Sequence, residues 1–268
     1  SAGFILSFLA SFETGAVIGA GEPGYPAYRN TATALGFTSA SIPTGADTRF
    51  QPSPALLDAG PELDGLVVAS PANPTGTVLD RTALTAIVDW CGANGVRLIS
   101  DEIYHGITFG ESAVTVAELT SDAFVINSFS KYFSMTGWRL GWMVVPEDLV
   151  RDVERLAQNL YISAPALSQQ AALAAFDAKE YLDAKVVGYG RNRDLLLREL
   201  PKAGFDTLAP ADGAFYIFAD VSDLTDDSAE FCKRMLAETG VATTPGIDFD
   251  PVRGKQFLRF SIAGEYAT

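Results

Sequence analysis

Three runs of almost uninterrupted apolar residues organise the 268-residue chain, at positions 65–69, 96–100 and 123–127. Runs this short and continuous predict strands buried on both faces, since a strand with one wet face alternates instead. Positions 16–20 and 38–42 predict two more strands, and 140–145 another, ended by Pro146. Helical patterns fill the intervals. Positions 2–10 are apolar nearly all round, which predicts a buried helix with Ser1 as its N-cap. Positions 26–35 predict a helix with proline in its first turn and Gly36 as its stop, 54–59 a short helix, and 81–91 an amphipathic helix opened by Asp80. Strands alternating with helices predict an α/β fold, a mostly parallel mixed sheet covered by helices on both faces.

Beyond Pro146 the texture changes. Positions 147–159, 166–176 and 180–200 predict helices, the middle one rich in alanine. Strands at 214–219 and 256–262 then flank a helix at 228–239. We expect two domains, a large α/β unit over 1–165 and connecting helices with a smaller C-terminal α+β domain over 166–268. Long helices blur that boundary anywhere between Tyr161 and Lys185. The chain opens on a helical pattern without methionine and stops soon after Ala263 and Gly264, so we expect it to be cut at both ends.

Composition narrows the function. With 48% hydrophobic and 19% charged residues the chain builds an ordinary core. A net charge of −14 argues against nucleic acid or an anionic membrane as a partner. Cys91 and Cys232 are the two cysteines and lack metal-type spacing, and His105 is the one histidine. The expectations are no metal site and a reduced, cytoplasmic protein. No apolar run approaches the roughly 20 residues of a spanning helix, and the apolar stretch at 4–12 lacks the basic segment of a signal peptide.

The chemistry collects at the ends of the predicted strands, where open α/β sheets bind ligands. The strand at 65–69 runs into Ser-Pro-Ala-Asn-Pro-Thr-Gly, which carries Asn73. The strand at 96–100 runs into Asp101, Glu102, Ile103, Tyr104 and His105, and the strand at 123–127 into Ser128, Phe129, Ser130 and Lys131. The first strand runs into Glu-Pro-Gly-Tyr-Pro, which carries Tyr25. A lysine in a largely dry pocket loses its proton more easily and forms a Schiff base with a carbonyl. The neighbouring serines and Arg139 suit a phosphate. A carbonyl with a phosphate handle describes pyridoxal 5'-phosphate.

Ser-Pro-Ala-Asn-Pro-Thr-Gly, Ser-Asp-Glu-Ile-Tyr, and Ser-Phe-Ser-Lys followed by Thr-Gly-Trp-Arg-Leu-Gly resemble, in order, the signature of fold-type I pyridoxal-phosphate-dependent aminotransferases of class I and II, the aspartate-aminotransferase-like family. The resemblance extends to Glu-Pro-Gly-Tyr-Pro-Ala-Tyr upstream and Arg-Phe-Ser-Ile-Ala-Gly downstream. It implies that Lys131 forms the Schiff base and moves the α-proton, and that Asp101 pairs with the pyridine nitrogen. It implies Tyr104 and Asn73 at the phenolic oxygen and Tyr25 on the ring face. For the phosphate it implies Ser128 and Arg139, with Ser130 in support and Ser1 and the amide of Ala2 at the helix start. Arg259 would grip the substrate carboxylate, with Asn73 beside it. The implied activity is amino-group transfer between an L-amino acid and a 2-oxo acid in a homodimer. A lyase performing α,β-elimination on the same cofactor and a non-catalytic ligand-sensing domain are the alternatives. Family members carry a further N-terminal segment that lines the substrate pocket.

Three other patterns carry less. Gly19-Ala20-Gly21-Glu22-Pro23-Gly24 fits the dinucleotide fingerprint, but Glu22 would face a pyrophosphate and Pro23 removes an amide the loop needs. Ser128-Phe129-Ser130-Lys131 fits the Ser-x-x-Lys motif of penicillin-recognising enzymes, yet no Lys-Thr-Gly follows. His105 beside Tyr104 reads as a hydrogen-bonded residue at the pocket edge and receives no role.

Overall fold

The structure is a computed structural model and describes residues 1–266. Its first layer holds β1 (Val17–Glu22), β2 (Thr38–Pro43), β3 (Gly65–Ala69), β4 (Arg97–Asp101), β5 (Ala123–Ser128) and β6 (Gly141–Val144). They form one six-stranded sheet in the order β2-β1-β3-β4-β5-β6. The first five run parallel, and β6 pairs antiparallel with β5 at the edge. The helices are α1 (Ala2–Ser11), α2 (Ala27–Ala34), α3 (Pro54–Asp58), α4 (Arg81–Asn94), α5 (Val150–Leu160), α6 (Ala166–Ala175), α7 (Lys179–Glu199) and α8 (Ser228–Thr239).

Side-chain alternation explains the continuous apolar runs. In β3, Leu66 and Val68 join Leu84 and Ile87 of α4 on one face, while Val67 joins Phe4 and Phe8 of α1 on the other. In β4, Leu98 and Ile99 divide the same way, as do Val125 and Phe124 in β5. The middle positions of each strand are inside, so apolar residues fill them, and the polar residues Arg97, Ser100, Asp101, Asn127 and Ser128 gather toward the strand ends. The fold class is the α/β arrangement the sequence predicts.

Local boundaries differ for physical reasons. The helix predicted at 81–91 gains a turn and stops at Gly95, whose φ of +67° takes the left-handed conformation that closes helices. The helix predicted from 147 opens as a 3-10 turn over Glu147–Leu149 and becomes α-helical at Val150. The strand at 140–145 is a shorter edge strand, with Trp142 and Val144 exposed because β6 has a neighbour on one side only. The first strand reaches Glu22 because its pairing with β2 continues to Pro43.

A second, antiparallel sheet holds β7 (Thr207–Leu208), β8 (Tyr216–Asp220), β9 (Thr244–Pro245) and β10 (Phe257–Ser261), in the order β7-β8-β10-β9. The strands β7 and β9 are too short to leave a periodic signal. Ile217, Ala219, Leu258 and Phe260 pack on Leu200, Phe205 and Cys232, with Leu196 of α7 against them. On the other face Phe218 stacks on Phe257 at 5.0 Å.

The segment before β8 is tied to loops leaving the carboxyl ends of β3 and β4. The Gly213 amide donates to Gly76 at 2.8 Å and the Ala214 amide to Ile107 at 2.9 Å. After β9, Arg253 donates to the carbonyls of Glu22 at 2.6 Å and Thr44 at 2.9 Å while pairing with the buried Asp250. These bonds bring β8 and β10 to the rim where the parallel strands end.

Candidate active site

Asp101 is the last residue of β4 and is only 4% exposed. The Tyr28 hydroxyl donates to its Oδ2 at 2.5 Å, and the Ile103 amide donates to Oδ1 at 3.2 Å. Burial pushes the Asp101 carboxyl above its ordinary value, and these two hydrogen bonds pull against that. The start of α1 lies within electrostatic reach of Asp101 and of Arg139.

Lys131 sits just beyond β5 in a tight turn. Its amine faces the rings of Tyr104 and Phe215, each 5.5 Å away at the centroid, and makes no hydrogen bond or ion pair among the described residues. Burial lowers its pKa, and Arg259 and Arg139 push the same way against Asp101. A lysine shifted toward its neutral form is the state that attacks a carbonyl.

Arg259 lies on β10, with its guanidinium 4.1 Å over the Tyr216 ring and 4.7 Å from that of Phe249. It donates to Asn73 Oδ1 at 2.5 Å and to Thr244 Oγ1 at 3.3 Å. Its Nε is buried without a hydrogen-bond partner, and burial lowers its pKa. A buried cation with an unsatisfied donor fits an anionic ligand such as a carboxylate.

Tyr104 pairs with the Tyr216 hydroxyl at 2.8 Å, and burial raises its pKa well above the ordinary phenol value. Tyr25 is 37% exposed and meets Tyr28 edge-on at 5.5 Å. Ser128 Oγ lies 2.9 Å from Ser130 Oγ and 3.0 Å from the Leu140 carbonyl oxygen, and accepts from the Ser130 amide. Arg139 is exposed, takes a left-handed φ of +52° and donates to the Thr136 carbonyl at 2.8 Å. Ser1 stands at the N-cap of α1, but its side chain makes no capping bond, contrary to a plain capping role. The amides of Ala2 and Gly3 fall outside the helical ladder, as at every helix start.

The structure thus gathers Asn73, Asp101, Tyr104, Lys131 and Arg259 at one rim. The donor set suits pyridoxal phosphate: an unpaired amine, a buried carboxylate, phenols, and hydroxyls beside a cation and a helix start. His105 turns Nδ1 toward Glu102 at 3.4 Å. Sequence reasoning missed Tyr28, Phe215, Tyr216, Thr244 and Phe249. Tyr28 closes the Glu-Pro-Gly-Tyr-Pro-Ala-Tyr motif one helical turn after Tyr25, a local hint without an assigned role; the others come from the second sheet and its flanking segments, through long-range contacts.

Comparison with known proteins gives the family context. The profile described as aminotransferase class I and II matches residues 1–267. A valine–pyruvate aminotransferase of Mycobacterium tuberculosis is 53% identical, covering 98% of this chain and 69% of that protein. A (5-formylfuran-3-yl)methyl phosphate transaminase of Methanocaldococcus jannaschii is 35% identical, covering 91% of this chain and 64% of that protein. The crystal structure of an aminotransferase from Mycobacterium tuberculosis matches with a TM-score of 0.96 at 52% identity, covering 98% of this chain and 69% of that one. Aspartate aminotransferase from Thermus thermophilus with maleate matches with a TM-score of 0.88 at 30% identity, over 98% and 69%. The chain spans about two thirds of the length of these relatives. Their activities favour amino-group transfer over the elimination and ligand-sensor expectations.

Proposed function

We infer that this chain, which belongs to the class I and II aminotransferase family, moves an amino group between an L-amino acid and a 2-oxo acid at the rim around Lys131. The observation that carries the reading is the Lys131 amine, unpaired and half-buried, with Asp101 and Arg259 both within electrostatic reach. The family depends on pyridoxal phosphate in general. That cofactor supplies an aldehyde for an amine and a ring that stores the electron pair left when the α-proton departs.

The chain's own groups take the remaining roles. Lys131 would provide the amine that holds the cofactor, and as a free amine it would carry the α-proton as general base and acid. Asp101 would face the ring nitrogen and favour its protonated form. Asn73 and Tyr104 would bond the phenolic oxygen, and Tyr25 would cover the ring face. Ser128, Ser130, Arg139, Ser1 and the amide of Ala2 at the start of α1 would hold the phosphate. Arg259 binds the substrate α-carboxylate, which satisfies its buried Nε. For the donor we propose a branched aliphatic amino acid, supported by the 53%-identical relative named for valine and pyruvate.

We also place residues 1–165 and 166–268 in two domains and the enzyme in the cytoplasm as a homodimer. The cytoplasmic reading is in line with Cys91 and Cys232, both buried and free. Exposed apolar side chains at the α5–α6 corner, with Ile162 at 86% and Leu167 at 73%, support the dimer. No helix among the described residues is long and apolar enough to cross a membrane.

The test uses full-length, cofactor-loaded protein. L-Valine alone is expected to convert the visible spectrum to the pyridoxamine form with release of its 2-oxo acid, and pyruvate to restore the spectrum with formation of alanine. Lys131→Ala abolishes both. Ammonia release without alanine, or ligand binding without spectral conversion, would contradict the reading.

A further inference from the structure

We propose that Tyr28 is a positioning residue for Asp101, fixing and polarising the carboxylate that faces the cofactor's ring nitrogen; this rests on the role given to Asp101 above. Asp101 has no basic side chain within hydrogen-bond or ion-pair distance among the described residues. Its oxygens are taken instead by the Tyr28 hydroxyl at 2.5 Å and the Ile103 amide at 3.2 Å. The Ser1 amino group and Glu102 act on Asp101 only at a distance and in opposite directions. A buried carboxylate with no cation bonded to it drifts toward its neutral form, and a neutral acid would not hold a proton on the ring nitrogen. A short O–H···O⁻ bond is the strongest neutral donor available to keep it ionised. The proton stays on Tyr28, because burial and Asp101 itself both raise the Tyr28 pKa.

The hydroxyl is aimed by packing. Tyr28 is buried, its ring lies 5.0 Å from that of Phe4, and it shares a core with Phe8, Ala32 and Ile99. Tyr25 meets it edge-on at 5.5 Å, immediately ahead of the same helix. The start of α2 therefore sets both the aromatic cover of the site and the polarity of the group opposite. Only the hydroxyl reaches Asp101, so Tyr28→Phe removes the polar contact and keeps the ring.

The experiment compares full-length wild type, Tyr28→Phe, Asp101→Asn and the double variant, each titrated with pyridoxal phosphate. Tyr28→Phe is expected to weaken cofactor binding by roughly tenfold to a hundredfold, the range of one hydrogen bond to a charged group. The pH midpoint of the lysine-bound cofactor's visible band should move toward that of Asp101→Asn. In the Asp101→Asn background the second substitution should add little, since the acceptor charge is gone. Wild-type affinity and midpoint in Tyr28→Phe, with Asp101→Asn impaired, would overturn the inference alone. Unchanged cofactor binding in Asp101→Asn would overturn the role of Asp101 and this inference with it. Should Tyr28→Phe fold poorly, carbon-13 NMR of labelled aspartate in the wild type decides: an ionised Asp101 at neutral pH is expected, and a protonated one would overturn the proposal.

Discussion

Lys131 and Asp101 both bury an ionisable group at the rim, and burial moves their pKa values in opposite directions. The Lys131 value lies below 10.5, so between the lowered value and 10.5 the folded protein binds fewer protons than the unfolded chain. Stability therefore rises with pH through that window, and Lys131→Met should flatten the rise. The Asp101 value lies above 3.8, so the folded protein binds more protons between 3.8 and its raised value. Stability falls as pH rises through that window, and Asp101→Asn should remove the fall. Urea unfolding of cofactor-free protein across pH checks both slopes. At Arg259, replacing a planar fork by a point charge tests carboxylate binding: Arg259→Lys should raise KM for the amino acid by about tenfold or more. Asn73, Asp101, Tyr104, Lys131 and Arg259 were legible because each sits in a local motif at a strand end or on a strand. Tyr28 and Tyr216 were not, because their partners lie 73 and 112 residues away and nothing local marks the pairing.

At the scale of elements, the central strands were legible because both faces are buried, and burial writes a nearly continuous apolar run. Phe124 on β5 shows how much such a position carries. It is fully buried, between α1 and the sheet, so Phe124→Ala should cost about 3–5 kcal/mol in a denaturant titration. A loss below about 1 kcal/mol would mean that the site collapses around the change. The edge strand β6 was less legible: the apolar run over 140–145 predicts a strand, but Trp142 and Val144 are exposed. The two-residue strands β7 and β9 left no signal, because they exist through pairing with β8 and β10 rather than through their own pattern.

For the whole molecule, the decisive arrangement is the second sheet pinned to the rim of the first. Arg253 spans the two through the carbonyls of Glu22 and Thr44, and Arg259 reaches Asn73 from β10. Composition foretold the core, but not this junction, which is made of long-range hydrogen bonds. The α5–α6 corner makes a prediction at the same scale. Ile162→Glu with Leu167→Glu should shift full-length protein from dimer to monomer in sedimentation at micromolar concentration, whereas an unchanged dimer would move the interface elsewhere.

The central claim, that Lys131 is the amine that holds the cofactor, has a direct test. Full-length protein loaded with pyridoxal phosphate is reduced with borohydride, digested and mapped by mass spectrometry. The account predicts a phosphopyridoxyl adduct on the peptide containing Lys131 and its loss in Lys131→Ala. An adduct on a different lysine, or none at all, would contradict it.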